Sequence, residues 1–125
     1  MRIYIDGFGV VANAITRKLL ENHCICRGNV FVNTYESTEN SIYLNFLDNE
    51  NVNYVFLSYK DESLFRLIQN FSPDIIVSLY GRRVIPARVL ALAKFGTFNL
   101  HPALLPEYKG CFSCPWVIIN GEKRT

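Results

Sequence analysis

Residues 2–12, RIYIDGFGVVA, are the most informative for the fold, because their pattern predicts a strand, a glycine turn and the start of a helix. The apolar Ile3 and Ile5 predict a strand over residues 2–6. Gly7 and Gly9 permit a tight turn after it, and apolar residues continue at helical spacing to about residue 22. A strand that passes directly into a helix is the first half of a strand–helix–strand unit.

The same alternation continues along the chain. Further strands are predicted over residues 30–34, 52–57, 74–79 and 97–100, and helices over 61–71, 86–96 and 115–120, while 41–47 is either a short helix or a loop. Residues 74–79 are almost entirely apolar, which predicts a central strand buried on both faces. The expected fold is α/β: a doubly wound, open parallel sheet with helices on both faces, formed by one domain.

Composition narrows the possible classes. A chain of 125 residues with 50% hydrophobic residues can bury the core of one domain. No apolar run reaches membrane-span length and the N-terminus lacks a signal-peptide pattern, so we expect a cytoplasmic protein without a membrane partner. The net charge of +2 gives no reason to expect a nucleic-acid partner.

The charges are unevenly distributed. Residues from Arg66 onward contain eight of the 13 basic and three of the 11 acidic residues. This basic half favours an anionic cofactor tail or a phosphorylated substrate, although a solvated basic surface explains it equally well.

Four cysteines form the pairs Cys24-x-Cys26 and Cys111-x-x-Cys114. The spacing of the first pair does not fit a zinc knuckle, so we expect no metal site and interpret all four as buried, reduced thiols.

The stretch FNLHPALLPEYKG, residues 98–110, contains the most informative polar pair. Asn99 and His101 are two apart at the end of a predicted strand, so their side chains point the same way. Pro102 and Pro106 restrict the loop that follows. One hypothesis is an active site in which His101 transfers protons and Asn99 donates a hydrogen bond to an oxyanion. The alternative is a histidine that caps local backbone.

This stretch, together with WVIINGE at 116–122, resembles the signature of the formyltetrahydrofolate-dependent formyltransferases. The resemblance covers about 25 residues, 98–122, and fills nearly every signature position. It implies a Rossmann-like fold and transfer of a formyl group from 10-formyltetrahydrofolate to a primary amine. Asn99 matches the family's catalytic asparagine, which polarises the formyl oxygen, and His101 matches the histidine that moves protons.

The family also has a catalytic aspartate some tens of residues after the Asn-x-His motif. The chain ends at Thr125, and Glu107 and Glu122 occupy other signature positions, so no residue matches that aspartate. We therefore expect residues 1–125 to form a C-terminally incomplete N-terminal catalytic domain, and we do not expect this chain alone to catalyse the transfer. Removal of later strands would leave an exposed apolar patch, and a homodimer could form there.

The resemblance also implies a folate pocket. In the family, the loop after the strand at 74–79 wraps the pterin. The matching residues here are Tyr80, Gly81, Arg82, Arg83, Val84 and Ile85. An ordinary strand-to-helix turn with exposed arginines is the alternative. Leu104, Leu105 and Pro106 would form the other wall of the pocket, unless the leucines pack in the core.

The turn Gly7-Phe8-Gly9 has two interpretations. With Glu36 as the acidic partner, it resembles a dinucleotide fingerprint and predicts a NAD-dependent oxidoreductase domain. Alternatively, its backbone N–H groups bind an anion, as in formyltransferases, where this loop commonly faces the amine substrate or its phosphate. We favour the second, because a lone fingerprint is the weaker signal.

Three acceptor classes occur in the resembled family: methionyl-tRNA, glycinamide ribonucleotide and nucleotide-linked amino sugars. The tRNA enzymes have a basic C-terminal domain, and the ribonucleotide enzymes have a more polar first loop than Phe8, Val10 and Val11 provide. The prediction is therefore an amino sugar linked to a nucleotide. A non-catalytic folate- or nucleotide-binding remnant is a third hypothesis.

Overall fold

The computed structural model describes residues 1–22, 24–110 and 113–124. Five strands alternate with five α-helices. In chain order they are β1 (Ile3–Gly7), α1 (Gly9–Glu21), β2 (Val30–Asn33), α2 (Ser41–Asn49), β3 (Asn53–Val55), α3 (Glu62–Phe71), β4 (Ile75–Leu79), α4 (Ala87–Leu90), β5 (Thr97–Leu100) and α5 (Ser113–Ile119). Short 3₁₀ turns at Arg27–Asn29 and Thr38–Asn40 precede β2 and α2. The predicted alternation is confirmed, and the ambiguous segment at 41–47 is helical.

The five strands form one sheet in the order β3-β2-β1-β4-β5. All four strand pairs are parallel, with Ile5 opposite Val32 on one side and opposite Val77 on the other. The chain builds outward from β1 to β3 and then crosses to the other side of β1 for β4. This reversal creates a topological switch point between β1 and β4, where open α/β sheets bind their ligands.

Helices cover both faces of the sheet, which confirms the doubly wound architecture. Ile3 and Ile5 of β1 face a core formed with α1 and α2, to which Tyr43 and Leu47 contribute fully buried side chains. Tyr4 points to the opposite face, where α3 and α4 close a second core. Each fully buried aliphatic side chain contributes about 1.5–3 kcal/mol by leaving water.

Two details of the predicted elements are wrong. β4 is not buried on both faces, because Val77 and Ser78 are half-exposed and only β5 separates β4 from the sheet edge. The fully buried central strand is β1. The helix predicted over 86–96 is only the single turn Ala87–Leu90, with Pro86 as its extended N-cap rather than its first helical residue. Turns, rather than helix, continue from there to Gly96.

Helix ends follow their expected chemistry. The side chain of Asp61 accepts a hydrogen bond from the Ser63 N–H at 2.9 Å and caps α3. α5 ends at Ile119, and the predicted stop Gly121 follows two residues later with a φ of 67°. The Glu122 N–H bonds the Val117 carbonyl and the Gly121 N–H bonds that of Ile118, both at 3.0 Å, which is the Schellman arrangement.

The cysteines differ from the prediction of buried thiols. Cys24, Cys26 and Cys114 are free but exposed, and Ile25, between the first two, packs in the first core in their place. Cys111 lies outside the described residues.

An exposed apolar surface runs along β5 and α5, as the sequence predicted. Its members are large apolar side chains between 41% and 78% exposed: Phe95, Phe98, Leu100, Leu104, Leu105, Trp116, Ile118 and Ile119. We call this set the β5–α5 surface.

No helix among the described residues is both long and apolar enough to cross a membrane.

Candidate active site

Three loops that the sequence analysis singled out meet at one edge of the sheet. Residues 7–9 form the junction of β1 and α1, residues 80–86 follow β4 and residues 101–110 follow β5. Because the strands are parallel and neighbouring, their carboxyl ends lie side by side. The fold therefore brings the predicted catalytic, donor-binding and substrate-binding segments to the switch point.

Asn99 and His101 lie at the end of β5. Asn99 is exposed within the strand and stands opposite Ser78 of β4, while His101 is the first residue after the strand and is half-buried. The His101 Nε2 lies 2.8 Å from the Tyr108 carbonyl oxygen. A carbonyl can only accept, so Nε2 carries a hydrogen in this contact. In a neutral ring, Nδ1 is then the atom that can accept a proton.

Tyr108 connects the His101 loop to α5, and its role was not foreseen from the sequence. Its backbone has a φ of 52°, which directs the carbonyl toward His101. Its hydroxyl donates to Glu122 Oε1 and accepts from Asn120 Nδ2, both at 3.0 Å. Glu122, which matched no catalytic carboxylate, therefore orients the loop beside the histidine. The tyrosine in the signature was the available signal.

Apolar side chains around this edge are open to solvent. Val84 is 90% exposed, and Leu104 and Leu105 are 56% and 59% exposed. The alternative that these leucines pack in the core is therefore wrong. Ile85 differs from them, because it packs partly against the second core. Pro106 follows a cis peptide bond in the same exposed loop.

Arg82 lies across the turn that follows β1. Its guanidinium is 4.0 Å from the centre of the Phe8 ring and 3.2 Å from Glu39 Oε2. Its backbone N–H donates to the Tyr35 hydroxyl at 2.9 Å. Phe8 and Tyr35 also meet edge to face, with ring centres 5.5 Å apart. These contacts join the loops after β1, β2 and β4 into one surface.

The Gly7-Phe8-Gly9 turn does not present its amides to an anion. The Phe8 N–H donates to the Leu79 carbonyl at 3.1 Å and the Gly9 N–H donates to Asn40 Oδ1 at 2.9 Å. The prediction of an anion-binding turn is wrong for these two groups, because partners distant in sequence satisfy them. Gly7 has a steric role, since a Cβ there would stand 2.9 Å from the Ala12 Cβ. Contact of the Phe8 ring with substrate stays a prediction.

Asp6, at the end of β1, was missed as a site residue. It is 0% exposed, and neither carboxylate oxygen has a hydrogen-bond partner among the described residues. The nearest cation is Arg83, with 3.6 Å between Nη2 and Asp6 Oδ1. Burial raises the pKa of Asp6 to about 6, because loss of water penalises the carboxylate more than Arg83 stabilises it.

Asp6 is expected to make the free energy of unfolding fall as pH rises from about 4 to about 6. In this range the folded protein binds the Asp6 proton, whereas the unfolded chain, with an ordinary pKa of 3.8, does not. Urea titrations of the native protein and Asp6→Asn at several pH values measure the effect. The difference in free energy of unfolding between the native protein and Asp6→Asn should change by about 3 kcal/mol between about pH 4 and about pH 6. Above about pH 6 this difference should stay constant. A difference independent of pH would contradict the assignment.

The fold and site define an open α/β domain with a polar asparagine and histidine pair at its switch-point edge. The family model described as formyl transferase matches residues 25–125. A GDP-perosamine N-formyltransferase from Brucella melitensis is 35% identical over 99% of this chain. The chain spans about half of that relative's length, 48%.

Solved structures share the fold. A phosphoribosylglycinamide formyltransferase from Bacillus halodurans has a TM-score of 0.75 at 17% identity, covering 98% of this chain and 67% of that one. An N-formyltransferase from Helicobacter canadensis, solved with folinic acid and dTDP-3-aminofucose, has a TM-score of 0.70 at 24% identity, covering 98% and 43%.

This chain belongs to the formyl transferase family. The resemblance in the signature stretch is thereby confirmed, and the family replaces the oxidoreductase interpretation of the glycine turn. The geometry agrees, because Glu36 is exposed and lies beyond the end of β2, and the Gly9 amide is already occupied.

Proposed function

We propose that this chain forms the N-terminal catalytic region of an enzyme that transfers a formyl group from 10-formyltetrahydrofolate to a primary amine on a nucleotide-linked amino sugar. One observation carries the proposal: Asn99 and His101 stand at the carboxyl end of β5, beside the switch point, in a chain of the formyl transferase family. The donor supplies the formyl carbon and a nitrogen leaving group.

The two side chains have complementary roles in this proposal. The Asn99 amide donates a hydrogen bond to the formyl oxygen as the amine attacks and negative charge develops there. His101 accepts the proton that the amine loses as the new C–N bond forms, and returns it to the departing folate nitrogen. Nδ1 is the accepting atom, because Nε2 already carries a hydrogen toward the Tyr108 carbonyl. The Tyr108 contact also fixes the orientation of the ring.

The exposed side chains fit a pterin donor. Tyr80 and Val84 on one loop and Leu104 and Leu105 on the other are large, apolar and at least 42% exposed at the same edge. Flat aromatic ligands bind between apolar walls with a few polar groups. Gly81, Arg82, Arg83, Ile85 and Pro106 complete the proposed donor-binding set. The basic residues from Arg66 onward favour the negative glutamate tail of a folate.

The amino-sugar acceptor is supported by the relative from Brucella melitensis, whose name specifies GDP-perosamine and whose similarity extends over 99% of this chain. The half-exposed Phe8, with Gly7 and Gly9 in the same turn, is the proposed acceptor contact. The Phe8 ring, with the Arg82 cation 4.0 Å away, offers stacking and charge to a nucleotide.

Calorimetric titration with folinic acid and with NAD tests the donor class. We expect micromolar binding of folinic acid and none of NAD. Val84→Asp should weaken folinic acid binding at least about tenfold by placing a charge on an apolar wall, since about 1.4 kcal/mol is enough for that change. Leu67→Asp is the matched control, because Leu67 is also an exposed apolar side chain, 42% exposed, and lies on α3.

NAD binding without folate binding would overturn the proposal. Folate binding without formyl transfer, even in an extended form that supplies the downstream aspartate, would instead favour the non-catalytic remnant.

A homodimer and a cytoplasmic location are further parts of the proposal. The β5–α5 surface supports self-association, because six large apolar side chains outside the proposed donor wall lie on or near the edge strand β5, whose four residues are all exposed. Light scattering at two protein concentrations measures the oligomeric state, and a monomer at both would contradict the dimer.

A further inference from the structure

Arg83 belongs to the loop after β4, yet its guanidinium contacts the ends of three other strands. One amino group donates to the Leu57 carbonyl, just beyond β3. The other donates to the Thr34 carbonyl, just beyond β2, at 2.9 Å and lies 3.6 Å from Asp6 of β1. One side chain thus links the carboxyl ends of four parallel strands.

The environment of Arg83 leaves it little freedom. Its side chain is 21% exposed, and the guanidinium lies 4.1 Å from the Tyr35 ring centre and 5.8 Å from that of Tyr59. Its partner Asp6 is fully buried. Removing one member of a buried ion pair leaves an uncompensated charge, which costs more than an exposed pair would.

The loop backbone also approaches Asp6 closely on the other side. A Cβ on Gly81 would stand 2.8 Å from Asp6 Oδ2 and 3.0 Å from the Ser78 hydroxyl oxygen. The loop can therefore lie against the carboxylate only because residue 81 has no side chain. Contacts at Gly81 and at Arg83 together fix the loop at two points, two residues apart.

The exposed part of the loop lies directly beside these anchors. Tyr80 adopts a φ of 57°, which few residues other than glycine adopt without support, and is 42% exposed. Val84 follows Arg83 and is 90% exposed. The conformation of the proposed donor wall thus depends on contacts within the protein, at Gly81 and Arg83, rather than on contacts with a ligand.

We propose that Arg83 is a positioning residue for the formyl donor: paired with buried Asp6, it fixes the 80–86 loop across the strand ends and so shapes the donor-binding wall. Direct donor contact is left to the exposed neighbours. This inference rests on the proposed function for the identity of the ligand, but not for the fixing of the loop.

Two measurements on the variant Arg83→Met test this inference. They are the hydrogen exchange of the loop amides and the affinity for folinic acid. We expect loop exchange at residues 80–85 to accelerate and folinic acid affinity to fall, each by about tenfold or more. In formyl-transfer assays on an extended, active form, the donor KM should rise by a larger factor than the acceptor KM. Arg83→Lys should restore part of each effect, because it keeps the charge and loses the planar fork.

Arg88→Met is the matched control. Arg88 also has an ion pair, at 2.8 Å to Glu62, and stacks 4.8 Å from the Phe65 ring, but it lies on the outer side of α4. It should change neither loop exchange nor folinic acid affinity.

Native-like loop exchange in both Arg83 variants would overturn the inference, as would folinic acid affinity within twofold of the native value. If Arg83→Met does not fold, Arg83→Lys decides the question by the same measurements. A native protein that does not bind folinic acid would refute the proposed donor, and loop exchange would then decide the positioning role alone.

Discussion

In an extended, active form that includes the family's downstream aspartate, His101→Ala is expected to abolish formyl transfer while folinic acid binding stays within about twofold of native. A positioned proton-transfer group contributes roughly 10²–10⁴-fold to rate, so kcat should fall by at least that range. The structure predicts this separation because His101 lies at the end of β5, whereas the proposed donor walls are formed by other side chains. Steady-state transfer assays and calorimetry on the same preparation measure both quantities.

The control for His101→Ala is Gln69→Ala, which removes an exposed polar side chain from α3 without touching the site. It should leave transfer and binding unchanged. Undiminished turnover in His101→Ala would refute the assignment of the histidine. A parallel loss of folinic acid binding would show that His101 supports the loop instead of the chemistry.

Gly7→Ala is expected to destabilise the fold by about 1–3 kcal/mol, the typical cost of forcing an extra methyl group into a packed core. The new Cβ would stand 2.9 Å from the Ala12 Cβ and 3.1 Å from the Ile5 Cγ2. Neither neighbour is the flexible end of a long side chain, so β1 and α1 would have to separate. Urea unfolding, with the slope checked for two-state behaviour, gives the change.

Gly28→Ala is the matched control for Gly7→Ala. A Cβ at Gly28 meets nothing within 4 Å. The same chemical change should therefore be neutral or stabilise by up to about 1 kcal/mol, since it reduces the entropy of the unfolded chain. If both substitutions changed the free energy of unfolding equally, close packing of α1 on β1 would not be the reason for a glycine at position 7.

Much of the fold could be predicted because its signals are local. The apolar pattern of Ile3 and Ile5, the Gly7 and Gly9 turn, and Gly121 at the end of α5 each act within a few residues. The errors concerned longer-range effects. β4 is half-exposed at Val77 and Ser78, on opposite faces of the sheet and next to its edge strand, and the apolar residues after Leu90 pack in turns that mimic a helical pattern in sequence.

Residues of the candidate site were predicted from the sequence only where they belong to a recognisable motif. The Asn99 and His101 spacing is visible in the sequence, and the parallel sheet brings the 80–86 loop near it. The Tyr108 carbonyl beside His101 depends on a backbone φ of 52°, for which a tyrosine gives no local signal. The Asp6–Arg83 pair joins residues 77 positions apart, and the family resemblance favoured folate contact over an ordinary turn with an exposed arginine.

The amino-acid sequence alone was sufficient to assign the α/β fold and the formyl transferase family. The strand, glycine turn and helix at the start, the alternation of strands and helices that follows, and the Asn-x-His signature carry that assignment. Periodicity and turn chemistry are local properties, so they can be derived from neighbouring residues. The hydrogen-bond and ion-pair partners of polar groups could be identified only in the folded structure. Examples are the Gly9 amide, which donates to Asn40, and the Arg83 guanidinium, which contacts three strand ends. Those contacts depend on sheet order and close approach of distant segments, which local patterns do not encode.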